Sequence, residues 1–423
     1  MQRRLPRRGG VCFHLGDMRS EIGTRRGSEW RRWDPHLHGP GTLLADRFAR
    51  GKDGKPDWEA FLEKIETANP PVSALGITDY FCIRTYKRAL ALKKEGRLGG
   101  VDLLFPNVEL RLNIKTEKAH GINLHLLFSP EDPNHADEIE RVLARLHCEF
   151  RKRPRYCTEA DLISIGRILD PNQTDEGAAL SAGANQFKVE LSQVRSLFRE
   201  DEWVRKNCLI AVAGSKNDGT AGLQADDSYR LTRQEIERFA HIIFAATPNQ
   251  REFWLGKKAD HPPELIEKTY GSLKPCLHGS DAHVEEKVAA PDLDRYCWIK
   301  GDPSFETLRQ SVLEPEERVW IGPNPPAHHA PVTAIASVRT VEAPWLAESE
   351  IELNPGLVAV IGERGSGKTA LVEIIARGAG TPGTGEGESS FLSRARRPVD
   401  LLGDAQVELA WRDGSTGPRA SLA

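Results

Sequence analysis

Seven short apolar runs mark the part of the chain between residues 30 and 280, and helical patterns or loops separate them. The runs cover residues 30–38, 72–78, 103–109, 122–128, 209–214, 241–246 and 275–280. Helical periodicity recurs between them, at 61–65, at 84–95 with Gly96 as a stop, and through much of 131–207. Strands alternating with helices argue for a parallel sheet or an α/β barrel, because each buried strand needs an amphipathic helix to cover it. Within the helical region, residues 170–186 are rich in Gly, Ala, Asn and Gln and read as a mobile loop.

Potential metal ligands gather at the ends of these runs. His36 and His38 are two apart, so on a strand both imidazoles face the same way and make half of a divalent-metal site. Asp79 follows the second run, Glu109 stands near the end of the third, and His125 interrupts the apolar fourth. Asp281 and His283 lie just beyond the seventh. Each has an ordinary explanation alone: a core imidazole for His125, a surface acid for Glu109, a helix cap for Asp281. Seven such groups from five strand ends point instead to one metal site at the C-terminal rim, where closed α/β barrels build their chemistry.

A second motif lies further on. Gly362-Glu363-Arg364-Gly365-Ser366-Gly367-Lys368-Thr369 fits the phosphate-cradling P-loop, with an apolar strand-like run at 357–361 before it and a helical pattern at 370–377 after it. Its glycines let backbone N–H groups turn toward phosphate at a helix N-terminus. Lys368 is expected to reach the β- and γ-phosphates of ATP and Thr369 to hold Mg²⁺. The alternative is a Gly-rich turn from strand to helix. No apolar strand ending in Asp-Glu follows Thr369, so weak nucleotide binding and negligible ATP turnover are expected of this chain, as of a fragment of a longer protein. Residues 322–346, which carry His328-His329, read as a linker, residues 378–390 as a mobile segment, and 407–411 as a strand followed by an Asp413-Gly414 turn.

The order H-x-H, T-D, P-x-x-E, strand His and S-D-A-H resembles the PHP (polymerase and histidinol phosphatase) domain of metal-dependent phosphoesterases. Further matches are Gly27-Ser28-Glu29-Trp30-Arg31-Arg32-Trp33-Asp34, Gly76-Ile77-Thr78-Asp79-Tyr80-Phe81, Cys297-Trp298-Ile299-Lys300-Gly301-Asp302-Pro303-Ser304-Phe305 and Glu314-Pro315-Glu316-Glu317-Arg318-Val319. With the P-loop, residues 27–423 resemble the TrlF family, which joins a PHP domain to an SMC- or ABC-like ATPase. The resemblance implies a distorted seven-stranded α/β barrel followed by the N-terminal part of a P-loop NTPase domain. It implies boundaries of 1–27 for a basic leader, 28–321 for the barrel, 322–346 for a linker and 347–423 for the truncated ATPase. It carries ligand roles to His36, His38, Glu109, His125, Asp281 and His283. Asp79 is then expected to orient water or support a ligand imidazole. Tyr80 stands where these enzymes usually have a further ligand His. Mixed imidazole and carboxylate ligands suit Zn²⁺, Mn²⁺ or Fe²⁺, and two ions would serve hydrolysis of a phosphate ester. Lys216, at the rim, is a candidate for neutralising phosphate charge. The implied substrate is DNA or RNA, in repair or anti-phage defence, with ATPase dimerisation only in the full-length protein. The alternatives are a nucleic-acid-dependent ATPase or sensor whose barrel is a scaffold, and a small-molecule phosphatase.

Composition narrows these readings little. The hydrophobic fraction of 39% and charged fraction of 28% suit globular domains, and a formal charge of −3 gives no global field for nucleic acid. Residues 1–32 hold nine Arg against three acidic residues, a pattern of a solvated leader or a phosphate-touching arm. The methionines are Met1 and Met18, so translation starting at Met18 is a further expectation. No apolar run approaches the length of a membrane span, and the leader lacks the apolar core of a secretory signal. Seven scattered Cys without a C-x-x-C read as reduced thiols, and a cytoplasmic location is expected.

Overall fold

A computed structural model describes residues 27–52, 54–115, 121–223, 229–245, 247–327, 331–343, 345–346, 350–381, 387, 390–397 and 401–423. The basic leader, His328-His329 and most of the segment from 382 to 389 lie outside the described residues. The described residues divide into two compact units, one within Trp30–Pro326 and a second formed by residues 27–29 with those of Ala327–Ala423.

The first unit is built on a nine-stranded sheet. Seven strands fall on the predicted runs: β1 (Trp30–His38), β2 (Ala74–Tyr80), β3 (Leu103–Lys115), β4 (Gly121–Phe128), β7 (Cys208–Ala213), β8 (Ile242–Phe244) and β9 (Cys276–Leu277). A short hairpin outside this sheet supplies β5 (His147–Phe150) and β6 (Arg153–Tyr156). Two more strands, β10 (Cys297–Lys300) and β11 (Val319–Ile321), extend the sheet beyond the seven expected, in the order β11-β10-β1-β2-β3-β4-β7-β8-β9. The edge strands β9 and β11 meet, so the sheet curls into a nearly closed barrel. The sheet is also not wholly parallel, as the strand–helix alternation suggested. β4 runs against β3 and β7, and β10 runs against β1 and β11. The reason is chain length: only residues 116–120 join β3 to β4, too few for the crossover that a parallel pair requires.

Helices cover the sheet. α1 (Trp58–Glu66) is capped by Asp57, which accepts from the Glu59 amide, and buries Phe61, Leu62 and Ile65. α2 (Arg84–Lys94) buries Tyr86, Ala89 and Leu92. α3 (His135–Leu143), α4 (Glu159–Leu169), α5 (Glu176–Gln186), α6 (Leu191–Glu200) and α7 (Glu202–Asn207) fill the long region before β7. Here the loop expected at 170–186 is mostly helix. Asp175 caps α5, and α4 and α5 pack so closely that a Cβ on Gly166 or Gly183 would collide with the facing backbone of Ala179 or Leu162. The small residues that suggested mobility are there to let two helix backbones touch. α8 (Arg230–Phe239), α9 (Pro248–Trp254), α10 (Pro263–Tyr270), α11 (Phe305–Leu313) and α12 (Pro315–Arg318) complete this unit.

Alternation along the strands sorts the barrel interior from its surroundings. On β3, Leu104, Val108 and Leu110 join the large core under the helices, while Phe105 joins a smaller cluster with Trp33, Leu127, Ala211, Phe244 and Leu277. Asn107, Glu109 and Arg111 share the Phe105 face by period two.

In the second unit β12 (Ile335–Val341), β13 (Glu350–Glu352), β14 (Gln406–Trp411) and β15 (Ala420–Ser421) form a four-stranded antiparallel sheet. β12 thus occupies part of the stretch expected as a linker. α13 (Lys368–Gly378) and α14 (Phe391–Ala395) cover it, with Val338, Ile374, Leu392, Val407 and Leu409 as the core. The expected P-loop strand is absent. Residues 357–361 belong to no sheet, and Leu357 and Ile361 are 96% and 87% exposed. A P-loop strand is stabilised inside a parallel sheet, and every described pairing in this unit is antiparallel. The helix after the motif does form, and Lys368 Nζ folds back onto the carbonyls of Gly362 and Glu363, 2.8 Å from each.

Candidate metal centre

Four strand ends converge on one mouth of the barrel. His36 and His38 reach it from β1, Glu109 from β3, His125 from β4, and Asp281 and His283 from the segment after β9. The β1–β2 register shifts between Asp34 and Leu37, around Pro35. The last strand is brought onto β1 by Gly279, where a Cβ would lie 2.6 Å from the Cβ and carbonyl oxygen of His36. The Asp281 amide then donates to the His36 carbonyl at 2.9 Å, and the Ser280 amide donates to Asp34 Oδ1 at 3.0 Å. Asp281 adopts a left-handed φ of 47°, which Asp tolerates better than most residues.

The result is a knot of ligand atoms. His36 Nε2 and His38 Nε2 are 3.2 Å apart. Glu109 Oε2 lies 3.4 Å from the first and 3.3 Å from the second. Asp281 Oδ1 lies 3.3 Å from His36 Nε2, and 3.6 Å from both His38 Nε2 and His283 Nε2. Two metal-sized groups emerge: His36, His38 and Glu109, and His38, Asp281 and His283. His125 belongs to neither group, but its ring centroid is 4.6 Å from that of His36. Glu109 Oε2 and His125 Nε2 are buried and have no hydrogen-bond partner. Burial of unpaired donors and acceptors is costly. A cation is the partner that a carboxylate oxygen and imidazole lone pairs at these spacings would share.

Supporting hydrogen bonds set the tautomers. His125 Nδ1 lies 3.1 Å from Asn107 Oδ1, and the Asn107 amide nitrogen donates to Pro35 O at 3.0 Å. The imidazole must therefore carry its proton on Nδ1, leaving Nε2 with a free lone pair. His38 Nδ1 lies 3.2 Å from Thr42 Oγ1, whose hydroxyl donates to Asp79 Oδ1. Asp79 also accepts the amides of Leu43, Tyr80 and Thr85. It is buried, and its oxygens are spent on loop and hydroxyl groups, so its geometry is that of a support for His38.

Electrostatics follow the same pattern. Burial works against charge on His36, but Asp281 and Glu109 outweigh it and raise its pKa to about 9. Burial would raise Glu109, yet the imidazoles of His36 and His38 close against it, with His125 beside them, hold it well below the usual carboxylate range. Burial, with the charge of His36, pushes His125 down to about 3. Burial, with the charge of His38, does the same to His283. A proton on His36 is thus favoured by its neighbours, while His125 and His283 are held in the neutral form that can ligate.

A cavity of about 200 Å³ opens over the ligands, and its walls include Tyr80, Asn123, Ser215, Asp218, Phe244 and His278. His278 was not singled out from sequence. Its Nδ1–H donates to Ala245 O at 2.9 Å, so the ring lone pair is on Nε2. Its position three residues before Asp281 on a strand end was the available signal. Asn107 was also missed, though period two places it on the Glu109 face. The ring of Tyr80 stacks on His38 at 4.9 Å. Three further residues lie elsewhere, the sequence candidate Lys216 among them. Lys216 lines a neighbouring cavity, Asp46 pairs with Arg50, and His241 accepts the Ile210 amide.

No protein-family model matches the chain, and no curated protein matches it. Several solved structures overlap it, two of them as follows. One, described as a metal-dependent phosphoesterase from Bifidobacterium adolescentis, is 11% identical with a TM-score of 0.30, covering 68% of this chain and 97% of that one. The other, an amidohydrolase from Chromobacterium violaceum with bound sulfate and no metal, is 14% identical with a TM-score of 0.33, covering 69% and 98%. At these scores neither likeness decides anything about this chain.

Proposed function

We propose that the chain is a divalent-metal-dependent phosphoesterase, with a phosphodiester of DNA or RNA as its substrate. The observation that carries the reading is the meeting of buried, unpartnered ligand atoms, Glu109 Oε2 and His125 Nε2 foremost, with His36, His38, Asp281 and His283 at one cavity. His36, His38, Glu109, His125, Asp281 and His283 would hold Zn²⁺, Mn²⁺ or Fe²⁺. Such ions, when bound, polarise a phosphoryl oxygen and acidify water. The chain's own residues do the rest. Glu109 supplies fixed negative charge, and Asn107 and Thr42 with Asp79 hold two imidazoles in the ligating tautomer. The apolar floor of Trp33, Phe105 and Leu127 keeps water out from below.

The wider reading is a protein resembling the TrlF family, in which the Gly362–Thr369 loop binds ATP with Mg²⁺ and couples it to the barrel. Its support is the motif, the left-handed φ of Gly365 and Gly367, and a helix that starts at Lys368. Lys368-dependent ATP turnover by the purified chain would count against the weak, non-hydrolytic binding expected here.

Metal content is to be measured beside Mn²⁺-dependent cleavage of a generic phosphodiester, single-stranded DNA and RNA. His36→Ala and Asp281→Ala should abolish cleavage. Bound metal with no hydrolysis of any ester would sink the proposal in favour of a non-catalytic barrel, and hydrolysis of the small ester alone would remove the nucleic-acid substrate.

A further inference from the structure

We propose that Arg111 is the anion clamp of this site, a guanidinium held one row outside the metal ligands that takes the non-bridging oxygens of a substrate phosphoryl group. The inference rests on the phosphoesterase reading and names the side chain that selects phosphate. It begins with strand register. β3 and β4 pair Glu109 with His125, and the next pair outward on the same face is Arg111 with Asn123. Two residues along a strand advance about 6.6 Å, so the Arg111 row follows directly on the ligand row. Asn123, its cross-strand partner, lines the cavity.

Arg111 is also fixed in direction. Its guanidinium carbon lies 5.2 Å from the centroid of the Tyr80 ring, and that ring stacks on the ligand His38 with 20° between the planes. The cation is thus held against Tyr80, whose hydroxyl takes one of its N–H donors, and the guanidinium keeps further N–H groups for an acceptor. One edge nitrogen donates to Asn185 Oδ1 at 3.1 Å, a neutral group. Among the described residues no carboxylate pairs with Arg111, although Arg97, Arg141 and Arg145 each form ion pairs with two. Glu109, two residues away on the same face, directs its carboxylate to the histidines.

A second cation stands close by. The ammonium of Lys188 donates to the carbonyls of Asn185 and Phe187. Burial, and then the charge of Arg111, lower its pKa to about 8. Two cations sharing a half-buried corner repel one another, and a multiply charged anion relieves that repulsion. A phosphoryl group suits it better than a carboxylate or an amide. Its several charged oxygens accept the paired N–H donors of a guanidinium edge.

The test is a calorimetric titration of inorganic phosphate into the Mn²⁺-loaded full chain, beside Arg111→Met and Arg111→Lys, with Mn²⁺ stoichiometry and melting temperature measured on the same samples. Arg111→Met should keep its Mn²⁺ and its melting temperature while losing roughly 10- to 100-fold in phosphate affinity. Arg111→Lys should recover part of the loss, which also covers the case in which the Met variant folds poorly. With ester substrates the Met variant should raise KM more than it lowers kcat. Phosphate binding by Arg111→Met at wild-type affinity, or no phosphate binding by the wild type, would overturn the clamp. Because the titration needs no turnover, an Arg111-dependent phosphate site in a chain that hydrolyses no ester would support the clamp and sink only the enzyme reading.

Discussion

His125 shows how a single residue earns a ligand's geometry. It sits in an apolar strand, where a buried imidazole is usually satisfied at both nitrogens, yet only Nδ1 has a partner, Asn107. Asn107→Leu should therefore leave the fold intact and weaken Mn²⁺ or Zn²⁺ affinity roughly 10- to 100-fold, read by competition with a chelating dye. Unchanged affinity would remove Asn107 from the site. His36 gives a second prediction. Its pKa is raised from 6.5 to about 9 by Asp281 and Glu109 against the pull of burial. A raised pKa adds stability that is fully present below about pH 6.5 and lost as pH climbs through about 9. The metal-free chain should therefore lose stability across that window, and His36→Gln should not. Because an ion displaces that proton, metal binding at pH 7.5 should release about one proton, measurable from binding enthalpies in two buffers of different ionisation heat.

At the scale of elements, α4 and α5 are joined by Gly166 and Gly183, the second of them in the stretch that composition alone assigned to a loop. Gly166→Ala puts a methyl group into the backbone at Ala179, so overpacking should destabilise the first unit by about 1–3 kcal/mol, read as a lower urea midpoint. An unchanged midpoint would show that the two helices separate freely. His241, where β7 meets β8, behaves oppositely to His36. Burial, then Lys274 and Arg309, lower its pKa to about 4, and its Nδ1 accepts the Ile210 amide at 3.0 Å. Protonation destroys that acceptor. A depressed pKa gives stability that is present above about pH 6.5 and lost as pH falls toward about 4. His241→Gln should flatten the acid limb of a pH–stability curve relative to the wild type.

Across the whole molecule, the barrel mouth gathers candidate ligands from β1, β3, β4 and the segment after β9, so an ion held there would bind the folded state alone. Saturating Mn²⁺ or Zn²⁺ should raise the melting temperature of the chain, by about 2.7 kcal/mol of added stability at a hundredfold excess over the dissociation constant, and EDTA should reverse it. Asp281→Ala should lose most of that shift. Much of this arrangement was legible in one dimension. Period two identified the shared face of His36 and His38, apolar runs located seven of the nine sheet strands, and acids and imidazoles at run ends marked the mouth. What composition could not convey was direction and depth. Whether β4 runs with or against β3 depends on how few residues join them, and the glycines of α4 and α5 look alike whether they loosen a loop or seat a helix. The strand expected at 357–361 fails for a related reason. A strand is stable through its neighbours, and no described strand pairs with that run. Residue type and spacing thus specify which side chains are able to ligate and which face of a strand they share, since both are local properties of the chain. Which of their nitrogens stay free, which cation lies in the next row, and which apolar run finds a partner depend on segments distant in sequence, and only folding brings those together.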